Sequence, residues 1–227
     1  MILTKDLGKH FGGVYAVEHC SLSITPGKIT SIIGPNGAGK TTLFNLISGI
    51  IRADHGTIVF DKKDITNMSI HSISQLGISR TFQQARLFKN MTIKDNLLIA
   101  HECSDTQIED MLDSIHLQMN IHTKVAELSY GQARLVEIAR ARIKPHKLLM
   151  LDEPTAGVNP RIREKLKDIL RMLKYRGDTI MLIEHDMEFV MSISDEVIVM
   201  SQGKVLCRGT PQQIQNNKRV LKAYLGS

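Results

Sequence analysis

Two short stretches carry residue types whose spacing could do chemistry. The first, Gly34-Pro35-Asn36-Gly37-Ala38-Gly39-Lys40-Thr41, fits the pattern GxxxxGK[ST]. Its glycines permit a turn tight enough for successive backbone N–H groups to face phosphate oxygens, and a helix beginning there adds its partial positive charge. Lys40 brings a point charge to the β- and γ-phosphates of a triphosphate, and Thr41 offers a hydroxyl to Mg²⁺. The second, Lys147–Pro154, is an apolar run ending abruptly in Asp152 and Glu153. An acid at the carboxyl end of such a strand stands where open α/β sheets place their ligands. Asp152 is expected to hold Mg²⁺ through water, opposite Thr41. Glu153, one residue on, is expected to polarise an attacking water, the general-base role in phosphoryl transfer to water.

The elements around these stretches alternate. Val14–Val17 and Leu22–Ile24 read as short strands, with Pro26-Gly27 as a turn. Lys28–Ile33 reads as a buried strand entering the Gly-rich turn, and a helix follows from about Lys40 to Ser48, stopped by Gly49. From about residue 90 to 143, Met, His, Gln and Leu at helical spacing replace the β-branched runs, which predicts a helical lobe. The alternation then resumes: strand Leu148–Leu151, helix Arg161–Lys174, strand Thr179–Ile183, short helix Met187–Met191, strand Val197–Met200. Two short helices, near Pro211–Gln215 and Lys218–Tyr224, close the chain. This pattern predicts an α/β fold with a mostly parallel sheet covered on both faces, and one domain over residues 1–227.

Composition narrows the partners. Hydrophobic residues make up 42% and charged residues 23%, values ordinary for a globular protein. Aromatics are 4% and Trp is absent, which argues against a base- or sugar-stacking surface. The formal charge of +6 comes from scattered residues without a Lys/Arg block, so no nucleic acid is expected. No 18-residue apolar run and no signal-peptide pattern occur, so any link to a membrane is expected through a partner. Cys20, Cys103 and Cys207 are widely spaced and suggest reduced thiols rather than metal or disulfide chemistry.

Leu128-Ser129-Tyr130-Gly131-Gln132 reads on its own as a helix start capped by Ser129. It also resembles the LSGGQ signature of ABC-transporter ATPases, with Tyr130 in place of the first glycine, and it precedes the Asp152-Glu153 strand as in that family. The resemblance runs from about Leu3 to Leu225. It implies a P-loop NTPase of the ABC ATPase type, with an N-terminal antiparallel β subdomain beside the parallel sheet and the helical lobe. It implies ATP as ligand of Gly34, Asn36, Gly37, Ala38, Gly39, Lys40, Thr41 and Thr42. Ser129, Gly131 and Gln132 would contact the ATP of a second chain, in a head-to-tail dimer of identical or paralogous subunits. Gln83 corresponds to the glutamine that contacts Mg²⁺ and water, so Thr41, Gln83 and Asp152 form the expected Mg²⁺ set. His185, which alone would read as structural, corresponds to the histidine that contacts the γ-phosphate. Phe11, 23 residues ahead of Gly34, corresponds to the adenine-stacking aromatic; unaided it would pass as a core residue, and Tyr15 is the alternative. The implied activity is Mg-dependent ATP hydrolysis. The implied partners are integral membrane permease subunits, and the implied location is the cytoplasmic face of the cell membrane.

Within that family, LSYGQ, Ala156-Gly157-Val158-Asn159-Pro160, Arg80-Thr81-Phe82-Gln83 and Lys222-Ala223-Tyr224-Leu225-Gly226 look like the ATPases of branched-chain amino acid importers. The ATPase of lipopolysaccharide export and a soluble, non-transport ABC ATPase are the alternatives. Relative to the importer group, only His101 to Glu127 separates the Asn96-Leu97-Leu98 helix from the signature, a shortened lobe.

Overall fold

The computed structural model describes residues 1–82 and 86–225. Strands β1 (Ile2–Phe11) and β2 (Val14–Ile24) form an antiparallel hairpin. The two runs expected within β2 are one strand, because cross-strand pairing such as Leu7 with Cys20 carries the chain through the polar residues between them. Strand β3 (Ile29–Ile33) is wholly buried and leads to helix α1 (Lys40–Ile47). Strands β4 (His55–Phe60) and β5 (Lys63–Asp64) complete a four-stranded antiparallel sheet in the order β2-β1-β4-β5. Helix α2 (Ile70–Gln75) follows, then the short strand β6 (Ile78–Arg80).

Helices α3 (Ile93–Leu98), α4 (Asp105–Ser114) and α5 (Tyr130–Ile143) fill the middle of the chain. Each starts at a capping box, Thr92 with Asp95, Ser104 with Gln107 and Ser129 with Gln132, which satisfies orphan N–H groups at both ends of the motif. Helix α5 starts directly after Ser129, the cap expected from the sequence. Strand β7 (Leu148–Asp152), helix α6 (Pro160–Tyr175), strand β8 (Thr179–Ile183), helix α7 (Met187–Ile193) and strand β9 (Glu196–Ser201) follow. Strand β10 (Lys204–Gly209) and helices α8 (Pro211–Gln215) and α9 (Lys218–Leu225) end the described chain. The second sheet runs β10-β9-β3-β8-β7-β6; all its pairs are parallel except β9 with β10.

Period-two alternation along the parallel strands divides the core. Ile32, Leu148, Met150, Met181 and Ile183 face Leu43, Phe44 and the antiparallel sheet. Leu149, Leu151, Ile180 and Leu182 face the other way, onto Leu135 and Ile138 of α5, Leu166 and Ile169 of α6, and Phe189 of α7. Each such side chain contributes about 1.5–3 kcal/mol by burial. Because α3 and α4 join the second cluster through Ile93, Leu97, Ile108 and Leu112, the middle helices and the underside of the sheet share one apolar layer. Among the described residues no helix is long and apolar enough to cross a membrane.

Candidate functional site

The Gly-rich turn leaves β3 at its carboxyl end and enters α1 through Gly39, at φ 94. A Cβ there would come within 2.1 Å of the Ala16 carbonyl oxygen, so the turn can close against β2 only with glycine. Asn36 and Gly37 are exposed at the tip, Ala38 is buried, Thr41 is exposed and Thr42 half-buried. The Lys40 ammonium donates to the carbonyl oxygens of Gly34 (2.7 Å) and Pro35 (3.0 Å). Burial holds Lys40 below its usual pKa, opposed by the charges of Glu153 and Asp152. An ammonium on two loop carbonyls is positioned to exchange them for the stronger acceptors of a phosphate.

Asp152 ends β7, 2% exposed. It and Thr41 line the same cleft of about 740 Å³. Its Oδ2 accepts from the Arg80 guanidinium at 3.0 Å, and Arg80 also donates to Asn45 Oδ1 and Ser48 Oγ of the α1 turn-side surface. Burial raises the Asp152 pKa despite that partner. A hydroxyl and a carboxylate in one cleft are the hard oxygen donors that Mg²⁺ takes, so these residues fit that ion.

Glu153 leaves the strand with φ 48, a left-handed backbone unusual for a residue other than glycine. Its N–H donates to the Ile183 carbonyl, and its Oε1 lies 2.8 Å from His185 Nε2. The carboxylate is 16% and the imidazole 40% exposed, so both reach solvent at the carboxyl ends of β7 and β8. Neighbouring Glu184 is buried and accepts from the Thr155 N–H and hydroxyl and from the His185 N–H, fastening the two turns together.

Arg134 is the largest fully buried side chain. From α5 it donates to the carbonyl oxygens of Asp152 (2.8 Å), Glu153 (2.6 Å), Pro154 (3.3 Å) and Phe82 (2.9 Å), and pairs with Glu137 at 2.6 Å. It thus grips the acidic turn from behind. Sequence reading passed over Arg80, Arg134 and Glu184. The available signal was periodicity: Gly131, Arg134 and Ile138 share the inward face of α5, so an arginine there has to find buried acceptors.

Ser129 caps α5, accepting from the Gln132 N–H, and Gly131, in the first turn, is buried. Tyr130, in the position of the missing glycine, donates its hydroxyl to the Ala156 carbonyl (3.1 Å) and lies against Gly157. Asn159 caps α6 by accepting from the Ile162 N–H, with Pro160 at the first helical position. Ser129 and Gln132 line a second cleft with Asn159 and Arg161; Lys40, Thr41 and Asp152 do not line it. Phe11 ends β1 and is 52% exposed, so it is no core aromatic; Lys9 lies 5.6 Å from its ring centre. Tyr15 is also exposed and packs on His10. Gln83 lies outside the described residues.

A Gly-rich phosphate turn, an acid pair at the carboxyl edge of a parallel sheet and a separate signature cleft define a nucleotide-binding cassette. Residues 17–156 match the ABC transporter family, and the chain belongs to it. Residues 204–227 match the family described as branched-chain amino acid ATP-binding cassette transporter. The chain is 39% identical to the high-affinity branched-chain amino acid transport ATP-binding protein LivG of Escherichia coli, an alignment of 249 positions covering 100% of this chain and 98% of that one. It is 41% identical to BraF of Pseudomonas aeruginosa, covering 97% and 95%. Among solved structures, the nucleotide-free ATP-binding cassette from an ABC transporter superposes with a TM-score of 0.92 at 33% identity, covering 100% of this chain and 99% of that one. A cassette solved in its ADP conformation superposes equally well.

Proposed function

We propose that the chain is the Mg-dependent ATP-hydrolysing subunit of an importer of branched-chain or related amino acids. The observation that carries the hydrolytic reading is the 2.8 Å contact of His185 with Glu153, next in sequence to Asp152, which lines a cleft with Thr41. Lys40, the N–H groups from Gly34 to Thr42 and the start of α1 bind the triphosphate. Thr41 and Asp152 would hold magnesium, which supplies charge neutralisation on the β- and γ-phosphates. Glu153 takes the proton of the attacking water, and His185 orients that carboxylate and the terminal phosphate. Phe11, exposed at the end of β1, stacks on the base.

The match over residues 204–227 and the two relatives support amino acid import over lipopolysaccharide export. The separation of the two clefts supports a head-to-tail pair, in which Ser129, Gly131 and Gln132 of one chain cap the ATP bound by the other. Permease subunits in the cytoplasmic membrane would dock on this pair. The LivG alignment runs to 249 positions against 227 residues here, so the alignment holds gaps on this chain's side. The test is capture of the tagged chain from its native membranes with identification of the co-purifying integral proteins, followed by labelled leucine uptake in vesicles. Uptake that does not depend on ATP and this chain would refute the importer reading.

A further inference from the structure

The antiparallel sheet holds a cluster outside the nucleotide chemistry. Among the described residues, Asp6, His19 and His55 bring one ligand atom each within 4.8 Å of one another, all three side chains being exposed. They come from three adjacent strands, β1, β2 and β4, and backbone irregularities make them converge. Strand β1 breaks register with β2 between Thr4 and Leu7 and with β4 between Lys5 and Gly8, so Asp6 sits in both breaks. Asp6 (φ 52) and His19 (φ 47) are both left-handed. The Asp6 N–H donates to Ser21 Oγ instead of a ladder carbonyl, and the Asp6 carboxylate meets His19 Nδ1 at 2.6 Å. His55 lies flat on Gly8, its cross-strand partner: a Cβ on Gly8 would come within 1.9 Å of the ring. The two imidazoles stand 5.6 Å apart, centre to centre, tilted by 53°.

We propose that Asp6, His19 and His55 form a binding site for a divalent transition-metal ion of the zinc class, which clamps three strands of this sheet together. Two imidazoles and one carboxylate are a borderline donor set, suited to zinc, nickel or copper rather than to magnesium or calcium. This separates the cluster from the all-oxygen set of Thr41 and Asp152. Tetrahedral zinc with bonds of about 2.0–2.1 Å places its ligand atoms roughly 3.3 Å apart, so the Asp6–His19 contact opens slightly and His55 swings inward. Solvent completes the coordination. An ordinary surface Asp–His hydrogen bond needs neither a left-handed backbone at both residues nor a third ligand seated on a glycine.

The experiment is calorimetric titration of zinc chloride into the full-length, tag-free, chelator-washed protein, with millimolar magnesium present throughout. The expected result is one saturable equivalent, at least tenfold weaker in His19→Asn and in His55→Gln, and unchanged in His10→Asn, a histidine of the same sheet that pairs with Asp54 instead. Absence of saturable binding, equal affinity in all four proteins, or loss in His10→Asn would overturn the proposal. Should a variant fail to fold by circular dichroism, the visible spectrum of the cobalt-loaded wild type decides. Low-symmetry d–d bands without thiolate charge transfer support the cluster; thiolate bands, or the weak spectrum of hydrated cobalt, overturn it.

Discussion

At the scale of the residue, the proposed chemistry rests on Glu153. A left-handed backbone turns its carboxylate away from Asp152 and toward His185, a constraint of the sort that accumulates where function demands it. Glu153→Gln keeps the shape and removes the base. Turnover is expected to fall about 10²–10⁴-fold while ATP affinity holds, measured by steady-state hydrolysis and nucleotide titration; undiminished hydrolysis would take the base role from Glu153. Arg134 tests the support beneath it. Arg134→Met leaves Glu137 buried without its cation and strips four carbonyls of their donor, so a loss of about 3–5 kcal/mol is expected in denaturant unfolding. Adding Glu137→Met should return part of it, because the isolated buried charge is then gone. Sequence reading located the Gly-rich turn between β3 and α1 because its pattern is local: so tight a turn needs closely spaced glycines. Arg80 and Glu184 escaped because their partners lie on other elements; for Arg134 the period of α5 marked an inward face but not the carbonyls of the acidic turn that it meets there.

At the scale of the element, Asp54 staples the end of β1. Its carboxylate accepts from Lys9 Nζ at 2.6 Å and from the His10 N–H at 2.7 Å, directly before Phe11. Those hydrogen bonds, from Lys9 first and then the His10 backbone, hold its pKa down at about 2 against a usual 3.8. A depressed carboxylate stabilises the fold above its unfolded pKa and ceases to do so as pH falls through the folded one. The difference in melting temperature between wild type and Asp54→Asn should therefore be near constant above about pH 4 and shrink steadily as pH falls from there through about 2; a difference unchanged between about pH 4 and about pH 2 would mean the staple is not ionic. Phe11→Ala should weaken ATP binding by about 1–3 kcal/mol if the ring stacks on the base; no loss in the same titration would move the role to Tyr15. The Ser129 cap of α5 and the buried strands β3, β7, β8 and β9 were legible in advance, since a cap before a helical run and an unbroken apolar run are both contiguous signals. Strand β1 was not, because its register breaks around Asp6 and Gly8 spoil the alternation that would have marked it.

At the scale of the whole molecule, the proposed head-to-tail pairing uses two clefts that share no lining residue among those described. Ser129→Arg, at the exposed mouth of the second cleft, should leave ATP binding to the single chain intact. It should also prevent the ATP-dependent dimer that Glu153→Gln accumulates, as read by light scattering behind a sizing column. Dimerisation of the double variant would mean that the signature cleft does not face the partner's nucleotide.

The grip of Arg134 on the acidic turn has a consequence for how two such chains fire. The helix whose first residues would touch a neighbour's triphosphate is the same rigid rod whose arginine holds the backbone of its own Asp152 and Glu153. In the proposed pair, occupancy of one centre would thereby bear on the alignment of the other, so the rate should rise with ATP concentration along a sigmoid rather than a hyperbola.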